Sequence, residues 1–184
     1  LVDQESIIKR QDDQDYMESK NPGFTAPFLT TSEANNTVAA LDKATKDGQL
    51  DVVVNELRAM QSLYGQNYET ALQDLTKAGL ASEYAVGGRY LGDKPVLAER
   101  IIGLSTVTAD ELKKPLEAGK AKDFDMLYLD AMQEYSTAFT GGDITNAALK
   151  TLNMNYDVAK KLGYGYMNNT NTTAQMAVEM VIED

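Results

Sequence analysis

Carboxylates, hydroxyls, amides, lysines and arginines are the chemical repertoire of this chain, because its 184 residues include no histidine and no cysteine. That removes the proton shuttle that works near neutral pH, the thiolate nucleophile, and the imidazole and thiolate ligands of most zinc, copper and iron sites. Acid–base work would fall to Asp and Glu. The dense acidic clusters are Asp12, Asp13 and Asp15, and Asp123 with Asp125, which raise a calcium site or a glycosidase-type couple. Neither cluster fits the loop D-x-[DN]-x-[DN]-G with a later Glu. Carboxylates near a helix start complement its dipole, so solvated or capping roles are expected for both. A lytic transglycosylase needs one Glu in a sugar groove, and Glu56, Glu69, Glu83, Glu99 and Glu134 are eligible. Each falls on a predicted helix, where a surface glutamate is the default. Gly87-Gly88-Arg89 and Gly141-Gly142-Asp143 follow no buried strand and lack the phosphate-loop patterns, so helix termination is their expected role. No catalytic, cofactor-binding or metal-ligating residue is assigned, and no cofactor is expected.

Contact chemistry is better represented than bond-making chemistry. The chain has ten tyrosines and eight methionines, and those at helical spacing, such as Met126, Tyr128, Met132 and Tyr135, are expected in a core. Tyr164, Tyr166 and Met167, in Leu162-Gly163-Tyr164-Gly165-Tyr166-Met167, fall outside the main stripes. Tyrosine is enriched at interfaces, so this segment, read as a loop, is the candidate contact patch. Asn35-Asn36-Thr37, Asn168-Asn169-Thr170 and Asn171-Thr172-Thr173 match the glycosylation tripeptide, but Asn and Thr clusters are also what helix starts require.

The elements that must position these groups read as a succession of short amphipathic helices with capping residues and glycine stops. Ser32 is the expected cap of a helix carrying Val38, Leu41 and Ala44 and ending at Asp47-Gly48. Val53, Val54, Leu57, Met60 and Tyr64 then recur up to Gly65, and Tyr68, Leu72 and Leu75 up to Gly79. Pro95 suits a first helical turn. Thr108 with Glu111 forms a capping box, as does Thr172 with Gln175. Pro115 is expected to shorten the helix that Thr108 opens. Gly141-Gly142 closes an aromatic stripe from Phe124 to Phe139, and Gly163 closes the stripe from Ile144 to Leu162. The prediction is an all-α fold, a compact bundle of about seven to nine short helices. Residues 1–31 read as an N-terminal arm or linker, helical from Gln4 to Lys20 and anchored by Ile7, Ile8, Tyr16 and Met17. Residues 32–184 read as one helical domain.

Composition bounds the function. Hydrophobic residues make up 43% and charged residues 24% of the chain, ordinary globular usage that argues against wholesale disorder. Seventeen basic against 28 acidic residues give a formal charge of −11, a field that repels phosphate backbones and anionic headgroups. Direct nucleic-acid binding is therefore not expected. No segment reaches the ~20 apolar residues of a membrane span, and the start lacks a signal-peptide pattern. A chain that opens on Leu1 rather than methionine suggests a processed precursor or a trimmed form.

The pattern Leu63-Tyr64-Gly65, Tyr68, Leu72-x-x-Leu75, the Gly92-Asp93-Lys94-Pro95 turn, and an aromatic helix with Phe124, Tyr135 and Phe139 closing on Gly141-Gly142-Asp143 resembles the helical segments of internal or ejection proteins of tailed bacteriophages. The resemblance runs from Val52 to Met167. It implies a component packaged in the virion, in some cases part of a conduit for DNA entry, with any transglycosylase activity in a separate domain. The negative charge argues against lining DNA directly. The leading expectation is a non-enzymatic structural or interaction domain, located in a virion, that packs against copies of itself or a neighbouring structural protein. Two alternatives are an extracytoplasmic acidic binding or inhibitor domain and a glutamate-dependent glycan-cleaving enzyme.

Overall fold

Helix signals in the sequence carry over into an all-helical chain. The computed structural model describes residues 4–20, 26–140, 146–169 and 171–183, with side chains at 5–20, 26–133, 155–168 and 171–182. The elements are α1 (Gln4–Lys20), α2 (Thr31–Lys46), α3 (Leu50–Tyr64), α4 (Tyr68–Lys77), α5 (Ser82–Tyr90), α6 (Pro95–Gly103), α7 (Ala109–Lys113), α8 (Lys120–Thr140), α9 (Asn146–Asn169) and α10 (Ala174–Glu183), with short 3-10 turns after α3 and α6. Among the described residues there is no strand. The Asn21-Pro22-Gly23 break and the Gly141-Gly142-Asp143 turn lie outside the described residues.

The glycine stops at Gly48, Gly65 and Gly79 hold for a conformational reason, since all three have positive φ, which only glycine adopts cheaply. Pro95 opens α6, and α7 ends at Lys113, before Pro115. The Thr108–Glu111 capping box forms as predicted. Two other caps shift along the chain. Thr30, not Ser32, caps α2 in a full capping box with Glu33. Thr173 accepts from the Met176 N–H at 3.2 Å, whereas Thr172 is buried. At α2 neighbouring hydroxyls compete, and Thr30, whose backbone is extended at the helix entry, is the one that caps.

The chain divides into two compact units, Leu1–Ile102 and Gly103–Asp184, rather than into an arm ending at residue 31 and a single domain. In unit 1, α2 packs on α3 and α4, and α4 on α5, around Leu41, Val53, Leu57, Met60, Leu72, Leu75, Tyr84, Ile101 and Ile102. Helix α1 belongs to this unit. Its Ile7 is buried, Gln14 Nε2 donates to the Ala26 carbonyl at 2.8 Å, and Arg10 reaches Glu33 and the Phe28 carbonyl. Ile8 and Tyr16, expected as anchors, are exposed, as is about half of Met17. Gly87 and Gly88 lie inside α5 instead of ending it. A Cβ on Gly87 would sit 2.8 Å from Ile102 Cγ1 and 3.0 Å from the Ala98 carbonyl oxygen, so these glycines let α5 approach its neighbours closely.

In unit 2, α7 packs on α9, and α8, α9 and α10 pack on one another. Ala121, Phe124, Tyr128, Ala159, Tyr164, Met167, Ala177 and Val178 form the buried centre. Phe124 stacks on Tyr128 at 5.9 Å and meets Tyr164 edge-on at 5.8 Å, favourable aromatic geometries. The stop predicted at Gly163 is absent because this glycine keeps a helical backbone without the positive φ of a stop, and the Phe124 ring occupies the space a Cβ there would need. The helix therefore runs on to Asn169. Gly165, two residues on, faces open space.

These two glycines predict opposite outcomes in urea denaturation of the whole chain. Gly163→Ala drives a methyl into a ring wedged between two tyrosines and costs roughly 1–3 kcal/mol. Gly165→Ala meets nothing and gains up to about 1 kcal/mol of helix propensity.

Candidate functional site

A concave site in unit 1 is ordered by a buried carboxylate that does not itself line it. Asp74 on α4 is 5% exposed and accepts the backbone N–H groups of Phe28 at 2.6 Å and Leu29 at 3.0 Å, with Lys77 Nζ at 3.1 Å. This holds the segment before α2 in place, so that Thr30 meets the helix start as its cap. Glu33 then closes back: its Oε2 accepts from Thr30 N at 2.9 Å and Thr30 Oγ1 at 2.8 Å, while Thr30 Oγ1 accepts from Glu33 N at 3.3 Å. Arg10 from α1 completes the arrangement with a two-pronged pair, Nη1 to Oε2 at 2.9 Å and Nη2 to Oε1 at 2.7 Å. Bidentate geometry of this kind is the strong form of an ion pair.

Beside this pair lies a cleft of about 250 Å³ between the start of α2 and the end of α3. Helical spacing explains its lining. Glu33, Asn36 and Thr37 stand three and four residues apart on one face of α2, and Glu56, Met60 and Tyr64 stand four apart on α3. Leu29, Met60 and Tyr64 are buried and form an apolar floor. Tyr64 is fixed by an edge-on contact with Phe28 at 5.0 Å. Glu56 has no ion-pair or hydrogen-bond partner among the described residues.

The electrostatics separate the two carboxylates by role. The Arg10 hydrogen bonds, against the cost of partial burial and helped by Thr30, bring the Glu33 carboxyl down to about 2. Glu33 is therefore ionised throughout the neutral range, with both oxygens engaged. Burial, and then the charge of Glu33, push the Tyr64 hydroxyl above its ordinary range, so it stays protonated. A glycan-cleaving acid needs the opposite environment, one that keeps a carboxyl protonated at neutral pH. The acidic group left unpaired in the cleft is Glu56.

The remaining candidates from the sequence are dispersed. Tyr164, Tyr166 and Met167 lie on α9, not on a loop. Tyr164 and Met167 are 2% and 4% exposed and Tyr166 is half-buried against the same core. The expected contact patch is thus interior packing, because the helix continues through Gly163. The Tyr164 hydroxyl donates to Asp125 Oδ1 at 2.8 Å, and burial, then that carboxylate, push its ionisation upward. Glu69 pairs with Arg89 and Glu99 with Arg58. Glu83 is buried at the start of α5, and the Glu134 side chain lies outside the described residues. Asp12, Asp13, Asp15 and Asp123 are exposed. Asn35 is exposed within α2, and Asn168 Nδ2 donates to the Leu112 carbonyl. Among the described residues no group of three or more Asp and Glu side chains is placed to hold a metal ion, and no helix is long and apolar enough to cross a membrane. Arg10, Glu33 and Asp74 belong to no motif in the sequence that assigns them a site role. The Thr30-x-x-Glu33 spacing was a visible signal for the first contact of the site, whereas nothing local marked Arg10 or Asp74.

No family model matches the chain, and neither a curated protein nor a solved structure is significantly similar to it.

Two substitutions test this construction. Asp74→Ala strands two buried N–H groups and is expected to cost roughly 2–4 kcal/mol in urea denaturation. Glu33→Gln is expected to cost roughly 1–2 kcal/mol at neutral pH, discounted for partial exposure. Because the folded Glu33 is held low, its contribution is complete above the ordinary carboxylate value, about 4.3, and fades as pH falls through about 2. The gap between wild type and Glu33→Gln should accordingly stay constant above pH of about 5 and close in acid.

Proposed function

We propose that this chain is a non-enzymatic structural or interaction domain, an internal or ejection component of a phage virion, which packs against copies of itself or a neighbouring structural protein. The observation that supports the packing half is the apolar chemistry left on the outer faces of unit 2. Met126 and Leu129 on α8 are 49% and 51% exposed, and Met176 and Met180 on α10 are 50% and 38% exposed. They stand three and four residues apart, the spacing of side chains that present together on a helix. A single exposed apolar side chain is ordinary; pairs in register on helices that pack on one another supply the adaptable surface that methionines favour at interfaces. The virion half rests on the resemblance of the Val52–Met167 pattern alone.

A glycan-cleaving role has less support, since Glu33 is held ionised and Glu69 and Glu99 are paired with arginines. The acidic-binding alternative draws on the unit 1 cleft.

Light scattering over a concentration series tests the packing reading. The wild-type chain is expected to exceed monomer mass, and Leu129→Glu with Met176→Glu to return it to monomer with unchanged far-UV circular dichroism. A wild type that is monomeric throughout overturns the reading.

A further inference from the structure

We propose that the cleft between α2 and α3 receives the ammonium head of a lysine side chain presented by a partner protein. Three observations lead there. The first is size: about 250 Å³ falls below the roughly 300–1,000 Å³ of sites for drug-sized ligands, which fits a single side chain. The second is the character of the free groups. Glu33 is consumed by Arg10, whereas Glu56, Asn36 and Thr37 make no side-chain hydrogen bond among the described residues. A carboxylate, an amide oxygen and a hydroxyl offer three acceptors to a head group that carries three donors and no acceptor. The third is the floor, where Leu29, Met60 and Tyr64 suit the methylene stem that a lysine buries while its charge stays at the rim.

The Glu33 carboxylate fork, the geometry a guanidinium pairs with best, already holds Arg10. Calcium takes six to eight oxygen ligands, more than one free carboxylate and two neutral groups supply, and an apolar floor offers it nothing. With Arg10 and Glu33 cancelling, Glu56 leaves the cleft one negative charge, in a chain whose formal charge of −11 draws basic partners by long-range attraction. The inference extends the interaction-domain reading to unit 1. Its test measures ligand binding rather than self-association, so either can fail alone.

The experiment is an amide chemical-shift titration of the full chain with a capped Ala-Lys-Ala peptide and, in parallel, the same peptide acetylated on lysine Nζ. The expected result is saturable shifts at Asn36, Thr37 and Glu56 with the free lysine and none with the acetylated one. Glu56→Gln should weaken binding roughly tenfold, the size of effect a charge-assisted hydrogen bond carries. Added salt should weaken it further. Glu56 is half-exposed and unpaired, so the variant is expected to keep its fold, and Thr37→Val gives a second variant that leaves the charge in place and should also weaken binding. Equal binding of the acetylated peptide, equal affinity of Glu56→Gln, or saturable shifts confined to other residues would overturn the proposal.

Discussion

A buried carboxylate receiving backbone amides is the contact on which unit 1 depends. Asp74 sits on α4, yet its two short hydrogen bonds run to Phe28 and Leu29, more than forty residues earlier. Two N–H groups and Lys77 satisfy a charge that would otherwise be costly to bury. Because those amides are fixed, Thr30 enters α2 as a cap, Glu33 folds back on Thr30, and Arg10 finds a carboxylate already oriented. One interior acid thereby sets the start of α2, the docking of α1 and the mouth of the cleft.

Unit 2 rests on a different constraint, the absence of a side chain. Gly163 permits α9 to pass directly under the Phe124 ring, which brings Tyr164 to the same ring and its hydroxyl to Asp125. Tyr128 stacks in turn on Tyr156 at 5.8 Å, with Lys160 Nζ 5.1 Å above the Tyr156 ring. The aromatics that the composition makes conspicuous are thus largely interior. Among the described residues, the exposed large apolar side chains of the unit are Met126, Leu129, Met176, Met180 and Ile182.

Ion pairs among the described residues lie in unit 1. The basic side chains Arg10, Arg58, Lys77 and Arg89 are paired with acids, and Lys161 Nζ donates to the Leu104 carbonyl at 3.1 Å. With 28 acids to 17 bases, acids outnumber the bases that could pair with them. Glu56, beside the apolar floor of the cleft, is one acid without a partner among the described residues.

The sequence by itself determined the helices. Apolar residues at helical spacing, Gly48, Gly65 and Gly79 at positive φ, Pro95 at a first turn and the Thr108–Glu111 box are local effects, governed by backbone sterics and by amides within one turn of their partners. The lack of histidine and cysteine likewise bounded the chemistry before any fold was known. What only the tertiary structure decided was the use of each residue across helices. Gly163 and Gly87 read as stops but serve as close-packing surfaces, Tyr164 and Met167 read as a patch but lie in a core, and Arg10, Glu33 and Asp74, from α1, α2 and α4, converge on the start of α2. Helix propensity acts over three or four residues, whereas steric room, burial and ion pairing depend on neighbours brought from tens of residues away, and those neighbours exist only once the chain has packed.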